Sequence, residues 1–185
     1  MRVPVPIEKA WRLFNHGPVT LITASHGGRE NVMTAAWVTP LDFDPPKLTV
    51  VLSADAHTRS LVEASRELVV QVPTVSMLDV IEGVGGCSGR DVDKWTRFNI
   101  GRLREDSVTP PLVEGCVAWM AARVLDEPAM AERYDLFIVE GYAAWADDEV
   151  YEGARLRDEV PAPLRAVHHV TRGVYVVDSE TVRSS

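Results

Sequence analysis

Asn31-Val32-Met33-Thr34-Ala35-Ala36-Trp37, then Asp44-Pro45-Pro46, then an apolar run at Leu48–Leu52, then Ser53-Ala54-Asp55-Ala56-His57-Thr58-Arg59: this stretch decides how the chain is read. Thr34, Ala35 and Ala36 are small enough to let a flat ligand come close to a strand's backbone. Unpaired N–H and C=O groups there can read the polar edge of a ring. About twenty residues on, His57, Thr58 and Arg59 stand at the start of a helical pattern. Helix starts present outward N–H groups and favour anions, so these residues are candidates for holding a phosphate.

Outward from this stretch, the pattern is mostly β. Val19 to Ala24 is β-rich, and His26-Gly27-Gly28-Arg29 reads as a hairpin turn, because paired glycines permit the positive φ it needs. Asn31 to Thr39 is then the returning strand, with Met33, Ala35 and Trp37 on one face and Val32, Thr34, Ala36 and Val38 on the other. Pro40 to Pro46 cannot be a central strand, since proline lacks the donor. Leu48 to Leu52, Leu68 to Val72, Gly115 to Leu125, Asp135 to Trp145 and Val174 to Val177 are further strands. Ile7, Ala10, Trp11 and Phe14 mark an amphipathic helix ending near Gly17-Pro18. Helical patterns also cover Ser60–Ala64, Val75–Glu82 and Asp91–Phe98, with a flexible stretch at Gly83-Val84-Gly85-Gly86. Hairpin-spaced strands with interspersed helices point to a mainly β, antiparallel barrel with helical insertions. Residues 1–185 read as one domain, and only Thr181 to Ser185 look dispensable.

Composition narrows the partners. A formal charge of −8 argues against a nucleic-acid surface and requires any anionic ligand to be held by local cations. The first residues lack a secretory core, and no apolar run reaches the roughly 18 residues of a membrane span, so a cytoplasmic protein is expected. Cys87 and Cys116 form no Cys-x-x-Cys motif and read as incidental or buried. His168-His169 are strand neighbours pointing to opposite faces, so no metal site is expected. Gly83-Val84-Gly85-Gly86 follows a helical pattern and matches no nucleotide loop. No Gly-x-Ser-x-Gly nucleophile motif occurs.

The ordered segments Asn31–Trp37, Asp44-Pro45-Pro46, Ser53–Arg59, Glu67–Pro73, Cys87-Ser88-Gly89-Arg90-Asp91-Val92-Asp93-Lys94-Trp95 and Asp135-Leu136-Phe137 resemble the flavin reductase-like family, especially its flavoredoxin-like branch. The resemblance spans roughly residues 5 to 180. It implies an FMN-binding split β-barrel, flavin mononucleotide (FMN) as cofactor and a homodimer. FMN is expected ahead of FAD, although nothing after the phosphate segment excludes an adenosine extension. By the same resemblance Asn31, Met33, Thr34, Ala35, Ala36 and Trp37 contact the flavin, and a hydroxyl at Thr58 with nearby basic groups holds the phosphate. Many members carry Arg or Lys near the position of Ser53; this chain does not, so Arg59 or His57 is expected to compensate. Arg90 is a candidate contact for an anionic ligand, while Ser88 to Asp91 alone reads as a capping box.

Three activities follow from the resemblance. The chain is a reductase that takes hydride from NADH or NADPH, a flavoredoxin-like carrier served by a redox partner protein, or a non-catalytic flavin-binding protein. Many reductases of the family place a histidine near the nicotinamide, before the penultimate long strand. Tyr134 occupies that place here, and it keeps a ring and hydroxyl but stays neutral at pH 7.

Overall fold

The computed structural model of the chain describes residues 1–14 and 17–177. The expected dispensable tail, Thr181 to Ser185, lies outside the described residues. In chain order the strands and α-helices are β1 (Arg2–Pro4), β2 (Thr20–His26), β3 (Arg29–Ala35), β4 (Val38–Phe43), β5 (Pro46–Val51), α1 (His57–Ser65), β6 (Glu67–Val72), α2 (Leu78–Gly85), α3 (Lys94–Arg97), β7 (Arg102–Glu105) and β8 (Val108–Val113). They continue with β9 (Ala118–Val124), α4 (Pro128–Tyr134), β10 (Leu136–Asp147), β11 (Tyr151–Glu152), β12 (Arg155–Leu156), β13 (Val167–Thr171) and β14 (Val174–Val177).

The main sheet runs β3-β2-β6-β9-β10-β5-β4, with β1 added to β10, and its pairings are antiparallel. Its two end strands, β3 and β4, are neighbours in sequence, joined only by Ala36 and Trp37. So short a link between opposite ends of the path requires the sheet to curl into a barrel. The expected single strand from Asn31 to Thr39 is therefore two: the chain bends at Ala36 and leaves one edge for the other. The expected alternation holds as far as Ala35 and then fails, since Val38 joins the same core as Ala35 and Trp37 is exposed. Pro40 falls inside β4, an edge strand, where a missing donor costs nothing in the ladder.

Strand periodicity fills the barrel. Leu68, Val70 and Val72 of β6 point inward with Ile22, Ala24, Leu48, Val50, Met120 and Ala122, while Val69 faces the outer layer. Burying each large aliphatic side chain stabilises the fold by roughly 1.5–3 kcal/mol. In β10 the inward set switches from Phe137 and Val139 to Ala144 and Ala146 across a bulge between Gly141 and Ala143. Gly141 is required there: a Cβ would come within 2.6 Å of Met120 Sδ.

The 3-10 helix at Ile7–Leu13 closes one side of the barrel. Its three-residue turn puts Ile7, Ala10 and Leu13 on one face, so Leu13 is buried and the expected core residue Trp11 instead meets Phe43 at 6.1 Å. On the outer face, α2, α3 and the β7–β8 hairpin cover Val32, Val69, Trp95 and Trp119. Thr23 Oγ1 donates to Pro111 O at 2.7 Å and Gln71 Nε2 to Thr23 Oγ1 at 3.1 Å, tying this hairpin to the sheet. Two helical expectations change. Gly83 to Gly85 belong to α2, and the Phe98 ring packs where a Gly83 side chain would be. The helix expected over Asp91–Phe98 shrinks to α3, capped not by Ser88 but by Asp93, which accepts from Trp95 N and Thr96 N.

Candidate functional site

A cavity of about 300 Å³ opens where β3, the start of α1, the end of α2 and α3 converge. That is the low end of the range for small-molecule pockets. Asn31, Met33 and Thr34 come from β3, Asp55 to Thr58 from the approach to α1, Val84 to Gly89 from α2 and its exit, and Lys94 from α3.

The α1 end is an uncapped helix start. Its N-cap is Ala56, without a side-chain acceptor, and its first turn carries no acidic residue. The N–H groups of that turn thus have no side-chain partner, a condition that favours a bound anion by about 0.3–2 kcal/mol. Thr58 sits one residue inside the helix, buried, where Oγ1 accepts from Asn31 Nδ2 at 2.8 Å. The Thr58 hydroxyl proton therefore remains to be donated. Asn31 is itself locked, since a Cβ on Gly89 would come within 2.1 Å of its Oδ1.

Lys94 forms the floor. Only 3% exposed, it donates from Nζ to Val32 O at 3.0 Å and to Val84 O at 2.7 Å. An ammonium has three donors, so one remains. Burial pulls its pKa below the usual lysine value, partly countered by Cys87. His57, on the rim, is held below its ordinary pKa first by burial, then by Arg90, Arg29 and Lys94. Three cations thus surround one corner of a protein whose formal charge is −8.

Of the residues singled out from sequence, Asn31, Met33, Thr34, His57 and Thr58 line this cavity together. Thr34 also ties β3 to α2, donating from Oγ1 to Ile81 O at 2.6 Å. Ala35 is buried in the barrel core, and Ala36 and Trp37 lie on the exposed bend. Ser53 is an exposed turn residue outside the lining, its carbonyl accepting from Ala56 N.

Arg59 requires a correction. Its guanidinium turns away from the cavity and donates to Leu52 O and Ala131 O, both at 3.1 Å, to Glu63 at 2.8 Å and to Asp135. With those acceptors taken, it braces α1 against β5 and α4 rather than meeting a ligand. Arg90 stands just outside the lining, its Nη1 donating to Asp55 O at 2.5 Å. Tyr134 is 56% exposed at the end of α4, next to Arg133, and does not line the cavity.

Sequence reasoning gave Lys94, Cys87 and the Gly85–Gly89 wall no role of their own, although Cys87 to Lys94 lies in the segment that carries the family resemblance, whose Ser88–Lys94 part that resemblance places near the flavin cleft. The glycines do approach a ligand cavity, but from a helix C-terminus rather than a nucleotide loop.

Comparison with known proteins identifies the family of the fold. The family model for the flavin reductase like domain matches residues 12–164. The crystal structure of an FMN-binding domain of a flavin reductases-like enzyme from Shewanella baltica OS155 superposes with a TM-score of 0.97 at 38% identity, covering 100% of this chain and 98% of that one. An uncharacterized protein of Escherichia coli K12, YddH, is 34% identical over 97% of this chain and 96% of its own length. Flavoredoxin of Desulfovibrio vulgaris (Miyazaki F) shares the fold, with a TM-score of 0.77, 19% identity, and coverage of 91% of this chain and 90% of that one.

Proposed function

This chain belongs to the flavin reductase-like family, and from that premise we propose that it is an FMN-dependent oxidoreductase that accepts hydride from NADH or NADPH and passes electrons to an acceptor. The observation that carries the reading is the convergence of Asn31, Thr58 and Lys94 on the uncapped start of α1. This donor set suits a phosphate: a hydroxyl proton, an ammonium proton and free helix N–H groups, with no carboxylate side chain bonded to Lys94 or Thr58 among the described interactions. FMN, when bound, supplies the hydride and single-electron chemistry.

The chain's own residues bind and orient. Lys94 and Thr58 would hold the phosphate, and Asn31 fixes the Thr58 hydroxyl so that its proton points away from the amide. Met33 and Thr34, the latter anchored by Ile81, would border the ring, with Ala36 and Trp37 on the adjoining bend. Residues 1–185 act as one flavin-binding domain in a cytoplasmic homodimer. Trp37, Leu41 and Phe43 are 74%, 53% and 65% exposed, a concentration of large apolar side chains that a second copy would cover. Among the described residues no helix is long and apolar enough to cross a membrane.

Tyr134 favours a second reading, a flavoredoxin-like carrier with little nicotinamide activity. It is exposed on α4 and outside the cavity, at the sequence position where many reductases that the chain resembles carry a histidine. Anaerobic mixing of FMN-loaded protein with NADH and NADPH, while flavin absorbance is followed, tests both. Rapid, saturable bleaching supports the reductase. Bleaching only with a reduced partner protein, together with a gain in NAD(P)H turnover in Tyr134→His, supports the carrier. A protein that binds no FMN at micromolar concentration refutes both.

A further inference from the structure

The chain carries 27 acidic and 19 basic residues, yet residues 94–104 hold four cations, Lys94, Arg97, Arg102 and Arg104, and no carboxylate. Asp93, just before this run, accepts from Trp95 N and Thr96 N, and Glu105, just after it, pairs with Arg2. Lys94 is buried at the floor of the cavity, whereas the three arginines are exposed at the end of α3 and along β7. Arg102 and Arg104 stand two residues apart, so they share the outward face of β7 while Leu103 packs into the layer beneath. They divide one carboxylate, Glu30, at 3.3 and 2.6 Å, and Arg97 has no carboxylate partner among the described residues. Two of the guanidiniums lie over aromatic rings: Arg102 is 5.3 Å from the Trp95 centroid and Arg97 is 5.6 Å from that of Phe98. A stacked guanidinium is held in place before a partner arrives, so less side-chain entropy is lost on docking. Both rings adjoin the walls of the cavity. Trp95 follows the lining residue Lys94, and Phe98 packs against Gly83 of α2.

From this arrangement we infer that the outer face of α3 and β7 is a docking surface for an acidic electron-carrier protein. The inference rests on the reading above, that the cavity holds a redox flavin. A formal charge of −8 repels an acidic partner at long range, so such a partner is drawn in and oriented where cations cluster. A second copy of the chain does not suit this face, since an isologous contact would set it against a like-charged one. A carrier docked on Arg102 stands over the Trp95 ring, the next residue to the cavity floor. Two carriers, each oxidised by one electron, supply the pair that reduces one flavin, and water supplies its protons.

Two acidic probes test it, a [2Fe–2S] ferredoxin and a flavodoxin. Each is titrated in its oxidised form into the full FMN-loaded chain by calorimetry, then used reduced in anaerobic stopped-flow mixing. The variants are Arg102→Gln/Arg104→Gln, Arg97→Gln and the charge-keeping Arg102→Lys/Arg104→Lys. Arg155→Glu, on β12, changes the net charge as much as the glutamine pair and serves as control. At low salt the wild type should bind at least one probe. The glutamine pair should weaken that binding about tenfold, Arg97→Gln about threefold and the lysine pair less than about threefold, with reduction of the flavin by the probe slowed in parallel. The differences should shrink as salt is added, and FMN affinity should stay within about twofold throughout. Equal weakening by Arg155→Glu, an unaffected glutamine pair, or heparin bound more tightly than either probe would overturn the inference. So would an FMN-loaded wild type that binds neither probe, a result that leaves the functional reading standing. A chain that takes up no FMN overturns both.

Discussion

Replacing Lys94 by methionine separates binding from folding in this site. In the free protein the ammonium is buried with two carbonyl partners, Val32 O and Val84 O. Removing it leaves those oxygens short of a donor, at about 1–3 kcal/mol each. It also relieves several kcal/mol of desolvation that a buried ammonium carries. These changes oppose each other, so the thermal midpoint of the ligand-free protein should move by only a few degrees. Ligand binding has no such compensation. A charge-assisted bond from the third ammonium proton to a phosphate contributes about 1.5–3 kcal/mol, so FMN should weaken about ten- to hundredfold. Riboflavin, without the phosphate, should change little. The pH arm sharpens the test, because burial lowers the Lys94 pKa below 10.5. FMN affinity then falls as pH rises through the lowered pKa, and falls again at low pH as the phosphate takes up its second proton at about pH 6. Folding stability has the opposite slope: between the lowered pKa and 10.5 the unfolded chain binds more protons, so stability rises with pH. Fluorescence titrations of both flavins across pH, with wild type and Lys94→Met, read all of this. Equal losses for FMN and riboflavin, or an unchanged FMN affinity, would refute the assignment of Lys94 to the phosphate.

Arg59→Ala should act on stability instead. Its partners Glu63 and Asp135 are partly solvated, so the loss is about 2 kcal/mol, or about 4–8 °C in thermal midpoint, while the folded variant keeps FMN affinity within about threefold. Gly141→Ala should cost about 1–3 kcal/mol by driving a methyl into Met120 Sδ, and pairing it with Met120→Ala should remove the overpacking, as a double-mutant cycle of thermal melts would reveal as non-additivity.

What could be read from sequence was local. The β2–β3 hairpin announced itself through Gly27 and Gly28, whose φ values of +56 and +77 supply the turn. Leu68 to Val72 and the two long C-terminal strands carried their period in their own residues. The start of α1 was legible for the same reason. The break after Ala35 was not, because it is imposed by the place of β3 and β4 at opposite ends of the sheet. Arg59 looked like a ligand contact until Ala131 and Asp135, 72 and 76 residues away, supplied its acceptors. Lys94 was invisible for a related reason: nothing near it in sequence foretells that Val32 O and Val84 O will let a lysine be buried.

The three walls of the cavity share one support. An end strand exposes a row of unpaired backbone groups that invites another chain. β3 is such a strand, yet Trp95 Nε1 donates to Glu30 O at 3.3 Å and Lys94 Nζ to Val32 O at 3.0 Å. The two carbonyls are two residues apart, as the outward groups of one edge must be. Helix α3 therefore caps the edge with side chains in place of a neighbouring strand. Asn31 holds the start of α1 through Thr58, and Thr34 holds α2 through Ile81. The strand with one edge left open by the sheet thus positions each of the elements that line the cavity. The same capping places a buried cation in the cavity, which is how a chain with a formal charge of −8 keeps a local positive group there.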